Sequence, residues 1–174
     1  MRVRNILIFM GLHQDKRQVA QAAYTICVID TKDGQTETSG IAKGRYTRIR
    51  LKSLIQILKR LCLKQIYPQE HIRVIFTSGD QELHDIWHEQ EIFRRDKNPS
   101  GMLTDVSTLK DGDLWIEILS LSERLHAEIV FPQSDSYMGA MIPRMKEQAH
   151  KYLESLSMPN TSLDPICFCE RRSG

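Results

Sequence analysis

A chain of 174 residues that is 41% hydrophobic, 26% charged and 7% aromatic has the size and composition of one globular domain with a real core, not of a disordered tail or a repeat array. Its 24 Lys and Arg against 22 Asp and Glu leave a net charge of +2, too small for overall charge to argue for nucleic acid or a membrane. No apolar run reaches the roughly 20 residues that cross a bilayer, the opening segment lacks a small-residue cleavage site, and Cys27, Cys62, Cys167 and Cys169 have no disulfide-framework spacing, which predicts a soluble cytoplasmic protein with no membrane contact.

In chain order, Asn5–Met10 is a short apolar run rich in β-formers and predicts a buried strand, and a polar bend at His13–Gln18 separates it from a second strand over Ala23–Ile29. Asp33-Gly34 signals a tight turn, after which the alternating Thr36–Ala42 returns as a third antiparallel strand. From Thr47 the period changes. Leu51, Leu54, Ile55, Leu58, Leu61 and Cys62 fall on one face of a helix predicted over 47–65, with Lys52, Gln56, Lys59 and Arg60 on the other. Ile72–Phe76 predicts the fourth strand and Gln81–Phe93 a helix, followed by a loop at Asn98–Gly101. Asp111-Gly112 breaks the chain before a helix over Leu114–Leu125, Glu128–Phe131 is a last short strand closed by Pro132, and Arg144–Ser157 is a terminal helix. The domain is read as 4–157, with 158–174 as a C-terminal tail. The order β-β-β-α-β-α-α-β-α predicts an α/β chain: a mixed sheet with helices on its faces.

Four strings in this order resemble the type 1 ribonuclease H family. Ile6-Leu-Ile-Phe9 stands where the family's first strand leads into Asp-Gly-Ser. Tyr46-Thr-Arg-Ile-Arg-Leu51 is similar to its Asn-Asn-Arg-Met-Glu-Leu helix start, and Val74-Ile-Phe-Thr-Ser-Gly-Asp-Gln81 to its fourth strand with Thr-Asp-Ser-Gln. Asp113-Leu-Trp115, followed by a helix, His126 and a short strand, is the best match. The resemblance covers about residues 4–156 and implies a five-stranded sheet of order 3-2-1-4-5 with strands 4 and 5 parallel to strand 1. Such enzymes hold two Mg²⁺ ions with three or four carboxylates, the metals bridging the scissile phosphate and activating water.

Carried over residue by residue, those carboxylates are missing. The first-strand Asp falls on Gly11, the first-helix Glu on Arg50, the fourth-strand Asp on Ser78 and the last-helix Asp near Lys146. The resemblance therefore implies a catalytically degenerate ribonuclease H-like module without a metal cofactor, comparable by analogy with the inactive connection domain of retroelement polymerases. It would bind nucleic acid or a nucleoprotein assembly. The alternatives are a Mg²⁺-dependent nuclease that uses relocated carboxylates, Asp30, Asp80 and Glu147, and a pure protein-binding scaffold.

Charge is segregated along the chain: residues 43–73 carry 9 basic and 1 acidic side chains, and residues 74–135 carry 5 and 13. Lys43, Arg45, Arg48, Arg50 and Lys52, with Arg94 and Arg95 in the stretch equivalent to the family's basic handle, are the candidate phosphate contacts. The acidic stretch 74–135 is the candidate surface for a protein partner. Arg50 is expected to pair with Asp80 or Glu147. His84 and His88 have metal-ligand spacing but read better as a solvated helix face. Cys167-Phe-Cys169 lacks two further ligands, Gly40–Gly44 is too short for a phosphate loop, and no nucleophile elbow appears around Ser134 or Ser136.

Overall fold

Alternation along the first strand sets both faces of the sheet. In the computed structural model, which describes residues 3–64, 70–89 and 110–157, strand β1 (Val3–Gln14) buries Ile6, Ile8, Met10 and Leu12 on one face and sends Leu7 and Phe9 to the other, so Gly11 and His13 also face that second side. It is flanked by β2 (Gln21–Asp30), antiparallel, and β4 (His71–Thr77), parallel; β3 (Gly34–Lys43) closes one edge beside β2 and β5 (Ala127–Val130) the other, parallel to β4. The order is β3-β2-β1-β4-β5, as the resemblance implies.

β1 runs four residues beyond its expected end. His13 and Gln14 are strand and not bend, because they pair with Ala23 and Ala22. The turn begins at Asp15, whose carboxylate accepts from the Arg17 amide at 3.0 Å and whose own amide bonds back to Gln21 O at 2.9 Å.

Helix α1 (Tyr46–Lys64) buries Ile49, Leu51, Leu54, Ile55, Leu58 and Leu61. At about 1.5–3 kcal/mol per buried aliphatic side chain, this stripe, more than helix propensity, holds α1 on the sheet. Helix α3 (Gly112–Leu125) packs on the same side through Leu114, Trp115, Ile118 and Leu125. Trp115 is fully buried, edge-on to Phe131 with ring centroids 5.7 Å apart. Helix α4 (Ile142–Ser157) covers the opposite face, laying Ile142, Met145, Ala149 and Leu153 on β1, β2 and β3.

The helix expected over Gln81–Phe93 is different in form. A single α-helical turn, α2 (Gln81–His84), passes into a π-helical turn at Asp85–Glu89; residues 90–93, like the loop 98–101 and the tail, lie outside the described residues. This element has no solvated histidine face. His84 Nδ1 donates to Phe131 O at 2.6 Å, the Phe131 amide donates to His88 Nε2 at 3.0 Å, and Trp87 Nε1 donates to Ile129 O at 2.8 Å. Three side chains thus satisfy backbone groups of Ile129 in β5 and of Phe131 just past its end, along the edge where a sixth strand would otherwise pair.

Candidate functional site

Parallel pairing of β1 with β4 sets Phe9 opposite Thr77 and brings Gly11 and Ser78 to the same end of the sheet. The start of α1 supplies Arg50 there, and the second turn of α4 supplies Lys146.

Gly11 is enclosed. A Cβ on it would stand 2.5 Å from the Met145 carbonyl carbon, 2.7 Å from Met145 Cβ and against the Lys146 amide nitrogen. Only a residue without a side chain lets α4 lie this close to the strand, so no carboxylate fits at position 11.

Arg50 is committed. Its Nη1 donates to Asp80 Oδ2 at 2.9 Å, with both side chains only 13% exposed, and the guanidinium lies 5.6 Å from the Tyr46 ring centroid. Asp80 is committed as well, because its other oxygen, Oδ1, accepts from the Glu82 amide at 3.0 Å and caps α2. Ser78 is buried between them in sequence, while Lys146 is exposed on α4.

The relocated carboxylates are not brought together. Asp30 registers with Ile6, toward the far end of the sheet. There Arg4 grips it with Nε at 3.0 Å and Nη2 at 2.6 Å, and Asp33 and Glu70 surround the same guanidinium. Burial pushes the Asp30 carboxyl up, but the Arg4 fork and the Lys32 amide outweigh it and hold the group below its ordinary value. Glu147 is exposed on α4. Among the described residues no three of His, Cys, Asp or Glu gather as a metal-binding group.

The basic candidates divide. Arg45 Nη2 and Arg48 Nη1 both donate to Asp111 Oδ1, at 2.8 and 3.0 Å, and Arg48 Nη2 donates to Asp113 Oδ2 at 2.9 Å. Asp111, at the N-cap of α3 with φ 61° in the left-handed region, makes no cap hydrogen bond with its carboxylate, which the two arginines take. Arg48 holds the exposed Asp113 carboxyl below its ordinary value. Lys43 and Lys52, by contrast, are exposed, form no ion pair among the described residues, and flank a shallow groove of about 160 Å³ lined also by Tyr24, Ile41, Ser53 and Gln56. Arg94 and Arg95 lie outside the described residues. The segregation of basic and acidic stretches along the chain is thus partly spent on internal ion pairs between α1 and α3, including Lys59 with Glu117 at 2.8 Å.

Solved structures share this architecture. The chain aligns with LC11-RNase H1 in complex with an RNA/DNA hybrid at 15% identity and TM-score 0.50, covering 87% of this chain and 99% of that one. The fold is ribonuclease H-like. The N-terminal ribonuclease H domain of rv2228c from Mycobacterium tuberculosis aligns at 10% identity and TM-score 0.52, over 87% and 97% of the two chains. The prototype foamy virus ribonuclease H domain does so at 14% identity and TM-score 0.51, over 84% and 93%. No protein-family model and no curated protein matches the chain by sequence. Within the ribonuclease H-like frame the residues present do not fit a two-Mg²⁺ centre: α4 backbone fills the space beside Gly11, and a guanidinium already neutralises Asp80.

The sequence reading missed one constellation on this face, the contact between His13 and His150. The two are separated by 137 positions, so no local spacing signals it.

Proposed function

We propose that this chain is a non-catalytic ribonuclease H-like module that contacts nucleic acid through the exposed side of α1 and the adjoining edge of β3. The observation that carries the loss of chemistry is the pair of substitutions in space, backbone at Gly11 and the Arg50–Asp80 ion pair, where two-metal hydrolysis needs carboxylates free to hold cations. Contact with nucleic acid is supported by two features. Lys43 and Lys52 form no ion pair among the described residues and stand beside the groove, and a ribonuclease H of this fold, LC11-RNase H1, was solved on an RNA/DNA hybrid.

The test is fluorescence anisotropy and cleavage of an RNA/DNA hybrid by the full chain, in Mg²⁺ and in Mn²⁺, across a salt series. No cleavage is expected, and affinity should fall with salt, since each neutralised duplex phosphate contributes about 0.9 to the log–log slope. Replacing Lys43 and Lys52 together with Ala should reduce that slope by roughly 2. Arg45→Ala and Arg48→Ala should change it less, because their charge is shared with Asp111 and Asp113. Cleavage abolished by Asp80→Asn would instead establish a metal nuclease. Absence of binding at low salt would leave the protein-binding scaffold, with the acidic stretch 74–135 as its surface.

A further inference from the structure

Two turns of α4 pass over the end of β1. Met145 and Lys146 sit on Gly11, and one turn later His150 meets His13, the next residue of β1 on the same face. His13 Nε2 and His150 Nδ1 are 2.9 Å apart. Their ring centroids are only 4.3 Å apart with the planes tilted by 59°. A linear N–H···N bond would hold the centroids farther apart, so the ring axes bend away from the line joining the two nitrogens.

The other nitrogen of His150, Nε2, lies 2.9 Å from Glu154 Oε1. A carboxylate on the far nitrogen fixes the tautomer with the proton on Nε2 and leaves the Nδ1 lone pair directed at His13. It is the outer partner that metal-bound histidines characteristically have. The spacing also selects among ions. Two nitrogens about 2.0 Å from a metal stand about 2.8 Å apart in cis positions of a tetragonal site and about 3.3 Å apart in a tetrahedral one.

From this geometry we infer that His13 Nε2 and His150 Nδ1 form a two-histidine site for a tetragonal divalent transition-metal ion of the Ni²⁺ or Cu²⁺ class, completed by water, with Glu154 orienting His150. The site is independent of the nucleic-acid reading and of the Mg²⁺ positions, which need carboxylates and lie one turn earlier along α4. Gly11 makes it reachable, because the absent side chain sets the approach of α4 to β1.

The experiment titrates the full chain with Ni²⁺ at neutral pH in a non-coordinating buffer. Calorimetry gives the stoichiometry, and ring-proton spectra of the six histidines give the location. One ion per chain is expected, with paramagnetic loss of the His13 and His150 signals before those of His71, His84, His88 and His126. His13→Gln and His150→Gln should each weaken binding by at least tenfold while circular dichroism stays that of the wild type, and Glu154→Gln should weaken it about tenfold. The ring spectra of the unmodified protein decide the question even if a variant fails to fold. No Ni²⁺ uptake, or uptake that leaves the His13 and His150 signals intact, overturns the site and leaves a plain N–H···N contact.

Discussion

Gly11→Ala tests the packing of α4 through the sign of a stability change. Gly11 does not need a left-handed backbone. In open surroundings the added methyl would therefore stabilise the protein by about 0.4–1 kcal/mol, by narrowing the unfolded ensemble. Here the methyl meets the Met145 carbonyl carbon at 2.5 Å, roughly 1 Å inside ordinary contact. The colliding atoms are helix backbone that no rotamer change can clear, so α4 must lift and loosen Ile142, Met145 and Ala149 from the sheet. Overpacking of this kind costs about 1–3 kcal/mol, and a rigid backbone obstacle places this site at the upper end. At about 2–4 °C per kcal/mol for a chain of this length, the midpoint of thermal unfolding should drop by roughly 6–12 °C, read by far-ultraviolet circular dichroism. A midpoint equal to or above that of the wild type would refute the close approach of α4 to β1. It would also remove the steric argument against a carboxylate at this position.

Acid stability should depend on Asp30. Its folded carboxyl is held below the ordinary value, so its contribution is full above the unfolded pKa of about 3.9 and is lost as pH falls through the lower, folded value. Unfolding in urea should show Asp30→Asn less stable than the wild type by about 3 kcal/mol at neutral pH, because the change takes the forked carboxylate from the buried Arg4 and leaves it only Asp33 and Glu70, and the two stabilities should converge in strong acid; a gap that does not depend on pH would contradict this. At the β5 edge, His88→Ala should strip the Phe131 amide of its acceptor, costing about 1–3 kcal/mol. Hydrogen exchange at Phe131 should accelerate selectively, and unchanged protection there would show that His88 does not hold the edge.

The parts of the fold legible in the sequence are those written in apolar period. Leu51, Leu54, Ile55, Leu58 and Leu61 repeat at helical spacing, and all five are buried on the sheet. The unbroken apolar run Ile6–Met10 likewise marks a strand buried on both faces, with Ile6, Ile8 and Met10 on one and Leu7 and Phe9 on the other. What the sequence hides are contacts made by polar atoms and by backbone. His13 and Gln14 look like turn residues by composition, yet ladder bonds to β2 keep them in strand. His84, Trp87 and His88 show only helical spacing, and their true partners, backbone groups of Ile129 in β5 and of Phe131 just past it, lie more than forty residues away. At the candidate site, Gly11 and Arg50 stand out as departures from the family pattern, and Arg50 takes Asp80, one of the two partners expected of it. The pairing of Arg45 and Arg48 with Asp111 and Asp113 emerges only once α1 and α3 are known to share a face.

The sealed border at β5 gives the sheet a direction of growth. Trp87, His84 and His88 act there as a surrogate strand made of side chains, whereas the outer edge of β3, ten residues long, has no such cover among the described residues. A visiting β-strand, whether from another molecule or from a second copy, has amides and carbonyls to pair with at β3 and finds those of Ile129 and Phe131 already spoken for at β5. Any polymer built by extending this sheet would therefore stop after one addition at β3 unless the newcomer brought an open edge of its own.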